Sequence, residues 1–211
     1  MTAAGASAEQ IGIPGGVSRE TTEKLLKHRE LVRKWTRHIN LVAQATLDDY
    51  HERHLLDSAQ LFVLRPPAGK HWVDLGSGGG FPGLVVAIIA QEHAPELRFT
   101  LIESDQRKAA FLTTAARELG VELQIIAERA EEAPCQGADI VSARALAPLD
   151  RLLPMVAPHL AQHGRALLPK GANADAELAA ALEYWRFDLQ KIQSTTNPHA
   201  TLLSIGDLQR V

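Results

Sequence analysis

The residues with the clearest capacity for chemistry form one short stretch, DLGSGGGFPG at positions 74–83. Five glycines lie in its last eight positions. Glycine reaches φ > 0 readily and lets backbone amides approach a ligand without a Cβ in the way. An apolar run precedes the stretch and another follows its proline, which is the order of a strand, a tight loop and a helix. Because amides at a helix N-terminus bind polar groups, the stretch predicts a cofactor loop.

Two classes of cofactor fit the spacing of these glycines. The pattern G-x-G-x-x-G at positions 78–83 matches the dinucleotide fingerprint, with an acidic residue about 20 positions further on. The pattern D-x-G-x-G-x-G at positions 74–80 matches class I methyltransferases, which bind S-adenosylmethionine (SAM). The carboxylate of Asp74 favours SAM, because it attracts an amino group and repels a pyrophosphate. We expect Glu103 to accept the ribose hydroxyls. The candidate cofactor-binding residues here are Asp74, Gly76, Gly78, Gly80, Phe81 and Glu103.

Length and composition describe one globular domain with a small extension. The chain has 211 residues, of which 45% are hydrophobic and 22% charged, and no apolar run reaches the roughly 18 residues of a membrane span. Residues 1–17 are small and polar, so we expect a disordered tail. The single cysteine forms no disulfide framework and fits a reducing cytoplasm. We expect a cytoplasmic monomer without membrane association.

Two helices are predicted before the cofactor loop, over residues 18–43 and 46–64. Leu25, Val32 and Ile39 recur every seven residues and mark one buried stripe on the first helix. Residues 19–37 carry seven cations and three anions, a charge of +4 in a chain of net charge −3. This asymmetry indicates either a basic binding surface or a solvated helix face. We assign residues 18–65 to a basic helical extension and residues 66–211 to a cofactor-binding domain.

Strands and helices alternate along the remainder of the chain. Strands are predicted at 98–103, 123–126, 139–142 and 165–168, helices at 105–119, 144–162 and 174–186, and a closing hairpin at 189–192 and 201–205. This order predicts an α/β fold, a mostly parallel sheet with helices on both faces. Ligands of such sheets lie beyond the carboxyl ends of the strands. Those ends add Ala130 and Glu131, expected beside the adenine, and two cations, Arg144 and Lys170.

Several other functions lack their required residues. No room remains after about residue 171 for the substrate domain of a dehydrogenase, and neither a Tyr-x-x-x-Lys pair nor a phosphate loop occurs. No His or Cys pair has zinc spacing, so no metal is predicted. The Asn/Asp-Pro-Pro-Tyr/Phe motif of amino-methylating enzymes is absent, and Cys135 is interpreted as a loop cysteine. A methyltransferase acting on a small molecule or a protein, and a non-catalytic SAM- or nucleotide-binding module, stay open.

Motifs along nearly the whole chain resemble one family. They are Asn40-Leu41, Arg53-His54-x-x-Asp57-Ser58, the loop at 74–83, Glu131-Glu132, Ser142-Ala-Arg144-Ala and Pro169-Lys170-Gly171. Together they resemble the GidB/RsmG family of bacterial 16S rRNA methyltransferases. The resemblance implies a class I SAM-dependent fold and methylation of N7 of guanine 527 in 16S rRNA, free or in the small-subunit particle. It implies SAM contacts at Gly76, Phe81, Ala130, Glu131 and Arg144. Our candidate substrate contacts are Asn40, Arg53, His54, Arg144 and Lys170.

Two departures from the family pattern bear on the site. Glu103 stands where many members have Asp, and an additional Ala143 separates Ser142 from Arg144, which leaves the direction of Arg144 open. His54 and Asp57 lie three apart on one helix face, where they either brace the extension against the cofactor domain or satisfy each other.

The implied chemistry needs no general base. Guanine N7 carries an in-plane lone pair and no proton, so the protein has to align the reactants and exclude water. The base must come from an unpaired RNA segment, because the A-form major groove hides N7. Arg144 and Lys170 are candidate donors to guanine O6 or to phosphate.

Overall fold

A seven-stranded sheet organises the chain in a computed structural model that describes Ile13 and residues 15–211. The helices are α1 (Arg19–Thr36), α2 (Asp57–Val63), α3 (Gly83–His93), α4 (Gln106–Leu119), α5 (Leu149–Val156) and α6 (Ala174–Leu182). The strands are β1 (His71–Leu75), β2 (Arg98–Ile102), β3 (Gln124–Ile126), β4 (Ala138–Ala143), β5 (Leu160–Lys170), β6 (Trp185–Gln193) and β7 (Thr201–Arg210). Within this part of the chain no helix is both long and apolar enough to cross a bilayer.

The strand order is β3-β2-β1-β4-β5-β7-β6. Strands β1 to β5 are parallel to one another, and β7 runs antiparallel between β5 and β6. The chain moves outward from β1 in one direction and then returns to β4, so β1 and β4 form the switch point. Ligands of doubly wound sheets bind at such a point, beyond the carboxyl ends of the strands. The predicted α/β class is confirmed.

Each face of the sheet has its own apolar core. One core gathers side chains from α1, α2, α3 and α4, and the other gathers those from α5 and α6. Helix α3 is buried over its first eight residues, as its continuous apolar sequence requires. The buried rings of Trp72 and Phe111 lie in the first core.

The N-terminal extension packs on this first face. Ser18 caps α1, and its backbone N–H donates to the Glu92 carboxylate at the end of α3. Lys27 pairs with Glu118 at the end of α4. The C-terminal part of α1 reaches the start of α4, so α1 runs antiparallel to α4. The extension and the sheet therefore share one hydrophobic core.

The start of the chain was predicted to be a disordered tail. Residues 1–12 and 14 lie outside the described residues. Ile13 and Val17 bury their side chains in the core, at 7% and 6% exposure, and the Gly16 carbonyl accepts a hydrogen bond from His93. The described part of this segment is therefore packed.

Several predicted boundaries were wrong. Helix α1 ends at Thr36 rather than near residue 43, and the predicted second helix is a π-helical turn (His51–Leu56) leading into α2. Helix α6 ends at Leu182, because the chain from Trp185 onward pairs with β7. Strands β5, β6 and β7 are longer than predicted, since pairing with neighbouring strands extends them beyond their apolar centres.

Candidate active site

The cofactor loop follows β1 and places three glycines in the left-handed region. Their φ angles are 67° at Gly76, 53° at Gly78 and 87° at Gly80, a conformation that costs an L side chain about 1–2 kcal/mol. Gly83 begins α3 so close to Leu101 and the Asp74 side chain that no Cβ fits. The glycines predicted from the motif are thus required by backbone conformation and by close packing.

Asp74 fastens the loop from inside the protein. Its side chain is fully buried, and its oxygens accept hydrogen bonds from the Ser142 hydroxyl at 2.6 Å and from the Gly83 amide at 3.2 Å. Burial raises the pKa of this carboxyl to about 6, against the opposing effect of the hydroxyl donor. The structure therefore gives Asp74 a positioning role, linking β1 to β4 and to the start of α3. A direct contact with an amino group of the cofactor stays a prediction.

Glu103 lies at the carboxyl end of β2, beside the same loop. One carboxylate oxygen accepts from the Gly78 amide at 2.8 Å, and the other accepts from the Asp105 amide at 2.9 Å. The side chain is 6% exposed. Two backbone donors fix the position of this carboxylate next to the loop, at the place where the sequence predicted it.

A buried histidine that the sequence reading missed supports the loop from the other side. The fully buried His28 of α1 lies 2.9 Å from the Gly79 carbonyl through Nε2 and 2.9 Å from the Tyr50 hydroxyl through Nδ1. Burial lowers the pKa of His28 to about 4, so the ring is neutral at pH 7. Because a carbonyl only accepts, Nε2–H donates to Gly79 and the Tyr50 hydroxyl donates to Nδ1. Its spacing from Leu25 and Val32 places His28 on the predicted buried stripe, which was the available signal.

Phe81 lies between His28 and a polar cluster that includes His54 and Arg144. Its ring lies 5.1 Å from that of His28 and 4.8 Å from that of His54, measured between centroids. The guanidinium carbon of Arg144 lies 5.0 Å from the centre of the same ring. The loop, α1 and the segment before α2 therefore meet around one aromatic side chain.

Arg144 links the end of β4 to that segment. It donates to the Arg53 carbonyl at 2.9 Å, to the Asp57 carboxylate at 3.1 Å and to His54 Nδ1 at 3.0 Å. Burial, reinforced by Arg144, lowers the pKa of His54 to about 4, and its Nε2–H donates to Thr46 at 2.9 Å. His54 and Asp57 were predicted either to brace the extension against the cofactor domain or to satisfy each other. These contacts favour the first hypothesis, because both residues bind Arg144 at the end of β4.

The additional Ala143 does not misdirect Arg144. Strand β4 continues through Ala143, whose side chain is buried, and side chains alternate along a strand. Arg144 therefore emerges on the same face as Ser142, whose hydroxyl contacts Trp72 and Asp74. That face carries the N-terminal helices.

A cleft of about 940 Å³ opens beside this cluster, beyond the carboxyl ends of β4 and β5 and beside the start of β7. We call it the acceptor cleft. Arg53, His54 and Arg144 line one side, and Pro169, Lys170 and Gly171 line the other; its remaining border includes Leu146 and residues 196–198. Asp57 holds the 196–198 side in place by accepting from Thr196 at 3.3 Å.

Lys170 is more enclosed than the sequence suggested. Its ammonium donates to the Ala147 carbonyl at 2.8 Å and pairs with Glu177 at 2.9 Å, and its side chain is only 8% exposed. Glu177 also accepts from the Leu149 amide. Lys170 thus fastens the loop after β4 to α6 at the wall of the acceptor cleft.

The other predicted site residues lie around this edge. Ala130 follows β3, and its carbonyl accepts from the buried His159 at 2.8 Å; Glu131 beside it is exposed. Asn40 is exposed, and the neighbouring Leu41 packs against the loop at Gly79. His159 is a second positioning residue that the sequence reading missed, since its signal, one histidine in a proline-interrupted stretch, is weak.

A family model described as GidB, rRNA small subunit methyltransferase G, matches residues 21–203. The chain belongs to this family. Curated relatives named Ribosomal RNA small subunit methyltransferase G include one from Ruegeria sp. (strain TM1040), 49% identical over 92% of this chain and 95% of the relative. Another, from Cereibacter sphaeroides (strain ATCC 17025 / ATH 2.4.3), is 51% identical over 92% of this chain and 94% of the relative.

Solved structures confirm the fold expected of a GidB-family member. An SAH-bound Podospora anserina methyltransferase aligns with a TM-score of 0.62 at 14% identity, over 87% of each chain. A SAM-dependent methyltransferase from Aquifex aeolicus aligns with a TM-score of 0.58 at 12% identity, over 84% of this chain and 97% of the other. Both support a class I methyltransferase fold.

Proposed function

We propose that this chain transfers the methyl group of SAM to N7 of a guanine in 16S ribosomal RNA, guanine 527 by family resemblance. The family assignment supports SAM-dependent methylation of small-subunit rRNA. The finer assignment rests on one observation: the buried and half-buried ionisable side chains of the acceptor cleft are already paired with one another, which suits a nucleophile that has no proton to lose.

The residues at the ends of β1, β2 and β3 suit SAM. The loop at Gly76, Gly78 and Gly80 presents backbone without side chains, and the fixed carboxylate of Glu103 stands where ribose hydroxyls would be accepted. Ala130 and Glu131 border the adenine side. Bound there, SAM supplies an electrophilic methyl group on its sulfonium. Asp74 and His28 hold the loop in shape from beneath.

Among the described residues, no enclosed side chain of the acceptor cleft is free to remove a proton; the carboxylates of Asp49 and Glu52, which also line it, are exposed to solvent. The neutral ring of His54 uses Nδ1 to accept from Arg144 and Nε2 to donate to Thr46. The carboxylates of Asp57 and Glu177 pair with Arg144 and Lys170. An exocyclic amine or hydroxyl would need a base for efficient transfer, whereas guanine N7 attacks through an existing lone pair. The protein therefore contributes alignment and exclusion of water.

The hydrogen-bond donors of Arg144 support a role in selecting guanine. A guanidinium has five N–H donors, and the structure uses three of them, on Arg53, His54 and Asp57. The remaining N–H groups at the cleft wall suit guanine O6, which accepts next to N7, whereas adenine presents a donor there. With 17% of its side chain exposed, Arg144 is more accessible than Lys170 at 8%.

The test compares Arg144→Lys with Arg151→Lys, an exposed arginine on nearby α5 as control. Lysine keeps the charge beside Asp57 but loses the planar fork. We expect the Arg144 variant to lower kcat/KM for small-subunit RNA at least tenfold, with SAM affinity by calorimetry within twofold of wild type. Loss of SAM affinity instead would assign Arg144 to the cofactor. Unchanged turnover and unchanged SAM affinity would remove it from the mechanism.

A further inference from the structure

A second, smaller groove lies between the end of α1 and the start of α4. Its volume is about 470 Å³, and it is lined by Lys34, Trp35, His38, Ile39, Arg107 and Ala110. None of these residues lines the acceptor cleft. We call it the α1–α4 groove.

The floor of the α1–α4 groove is apolar and is built around an indole. Trp35 is half-buried, and its ring meets that of Phe111 edge-on at 5.5 Å between centroids. Ile39 and Ala110 continue the floor on either side. Phe111 is fully buried, so the indole is held from below while its remaining surface faces the groove.

Cations from both helices surround this floor. Lys34 and Arg107 are exposed on opposite sides, and His38 is exposed at the end. Among the residues that the structure describes, Lys34 forms no ion pair, and Arg107 only approaches the Asp105 carboxylate at 3.6 Å. Exposed ion pairs at such distances contribute little to stability, so both cations are available to an anionic partner.

The groove opens on the same edge of the sheet as the cofactor loop. Helix α4 begins three residues beyond Glu103, and the chain leaving α1 brings Leu41 against the loop at Gly79. A strand of RNA whose target base enters the site therefore has a route along this edge to the α1–α4 groove.

We propose that the α1–α4 groove binds an unpaired nucleotide of the same RNA, outside the acceptor cleft, with its base on Trp35 and its flanking phosphates beside Lys34 and Arg107. This inference rests on the proposed function. Aromatic side chains flanked by cations are the usual means of holding single-stranded nucleic acid, because every base has a π-face and every linkage a charge. An apolar helix from a protein partner would cover the indole but would desolvate the cations without compensation.

The first test is a Trp35→Leu variant, which keeps an apolar contact with Phe111 but cannot stack a base. We expect its KM for small-subunit rRNA to rise about tenfold, with kcat and SAM affinity unchanged. A Lys34→Ala/Arg107→Ala variant should reduce the slope of log affinity against log salt by about two, one for each phosphate contact. Arg117→Ala, an exposed arginine on the last turn of α4, is the matched control and should change neither quantity.

Tryptophan fluorescence separates stacking from charge attraction. Trp72 and Trp185 are buried, so Trp35 is the tryptophan that a ligand reaches in the described part of the chain. A short single-stranded oligoribonucleotide should quench it, and an abasic oligomer of equal length should not. Equal quenching by both oligomers would overturn the stacking.

Two further outcomes have distinct meanings. If wild-type protein methylates RNA and the groove variants match it on naked rRNA and on particles, the groove proposal is wrong and the proposed function stands. If the variants lose activity only on assembled particles, a protein occupies the groove and the RNA proposal is equally overturned. A wild-type protein that fails to methylate any small-subunit RNA would instead refute the proposed function.

Discussion

Replacing His28 by leucine tests whether the N-terminal extension shapes the cofactor loop. The imidazole makes two buried hydrogen bonds, to the Gly79 carbonyl and with the Tyr50 hydroxyl. Leucine leaves both partners buried and unpaired, at about 1–3 kcal/mol each, so the free energy of unfolding should fall by about 2–6 kcal/mol. Tyr50→Phe leaves only Nδ1 of the imidazole without a hydrogen-bond partner, and should lower the free energy of unfolding by about 1–3 kcal/mol.

The double variant gives the sharper result. With leucine at position 28 and phenylalanine at position 50, only the Gly79 carbonyl stays unpaired. Adding Tyr50→Phe to His28→Leu should therefore recover about 1–3 kcal/mol of the lost stability. SAM affinity should behave differently. It should fall about tenfold in both variants that lack His28, because the loop has lost the hydrogen bond to the Gly79 carbonyl, and it should stay near the wild-type value in Tyr50→Phe alone.

Urea unfolding and calorimetric SAM titration measure these two quantities. Val32→Ala is the matched control, since it removes fully buried methyl groups from the same helix but no hydrogen bond to the loop; it should reduce stability by about 1–3 kcal/mol and leave SAM affinity unchanged. Additive stability losses in the double variant, or undiminished SAM affinity in His28→Leu, would refute the reasoning.

Three other perturbations follow from the same geometry. Because His28 has a pKa of about 4 in the folded protein against 6.5 in the unfolded chain, the folded state binds fewer protons between these values. The free energy of unfolding should therefore decrease as the pH is lowered from 6.5 to 4, by about 3 kcal/mol more in wild type than in His28→Leu. Urea midpoints measured across that pH range would show the difference. Gly80→Ala should lose SAM binding, since φ is 87° at this position and the added Cβ would lie 2.8 Å from a neighbouring side-chain atom. Gly171→Ala, whose added Cβ would have no atom within 4 Å, should unfold like wild type. A SAM affinity of Gly80→Ala equal to that of wild type would contradict the loop geometry. Lys170→Met should lower the free energy of unfolding by about 2–4 kcal/mol, because Glu177 loses its ion-pair partner. Adding Glu177→Gln should restore part of that stability, and thermal melts that show no recovery would contradict a stabilising role for this ion pair.

The cofactor loop was predictable because local rules fix it. Glycines at positions that require positive φ, a carboxylate two residues before them and an apolar run on each side define a strand, a turn and a helix without reference to the remaining chain. The same holds for α4, whose start at Asp105 and end at Gly120 follow from a side-chain cap and a left-handed residue.

The segment between α1 and α2 was not predictable in this way. The sequence predicts one helix over residues 46–64, which includes α2, yet the chain forms a π-helical turn before α2. That segment is tied to distant parts of the fold: Arg144 from β4 binds Arg53, His54 and Asp57, and Gln60 contacts Ser194 and Thr195. Contacts between residues 87 to 135 positions apart in the sequence determine the backbone there, and no local pattern encodes them.

The roles of individual site residues divide along the same line. Glu103 was found from its spacing to the loop, whereas the enclosure of Lys170 depends on Glu177 in another helix. His28 lies on a stripe that the sequence displays, but the partner of its ring, the Gly79 carbonyl, is 51 positions away.

The most direct measurement identifies the nucleoside that this protein modifies. Small-subunit RNA lacking this methyl group is incubated with the protein and labelled SAM, digested to nucleosides, and in parallel cleaved chemically at N7-methylguanosine to locate the position. We predict label in N7-methylguanosine alone, at one guanine that the resemblance places at position 527. Label in any other nucleoside, or in protein rather than RNA, would contradict the account.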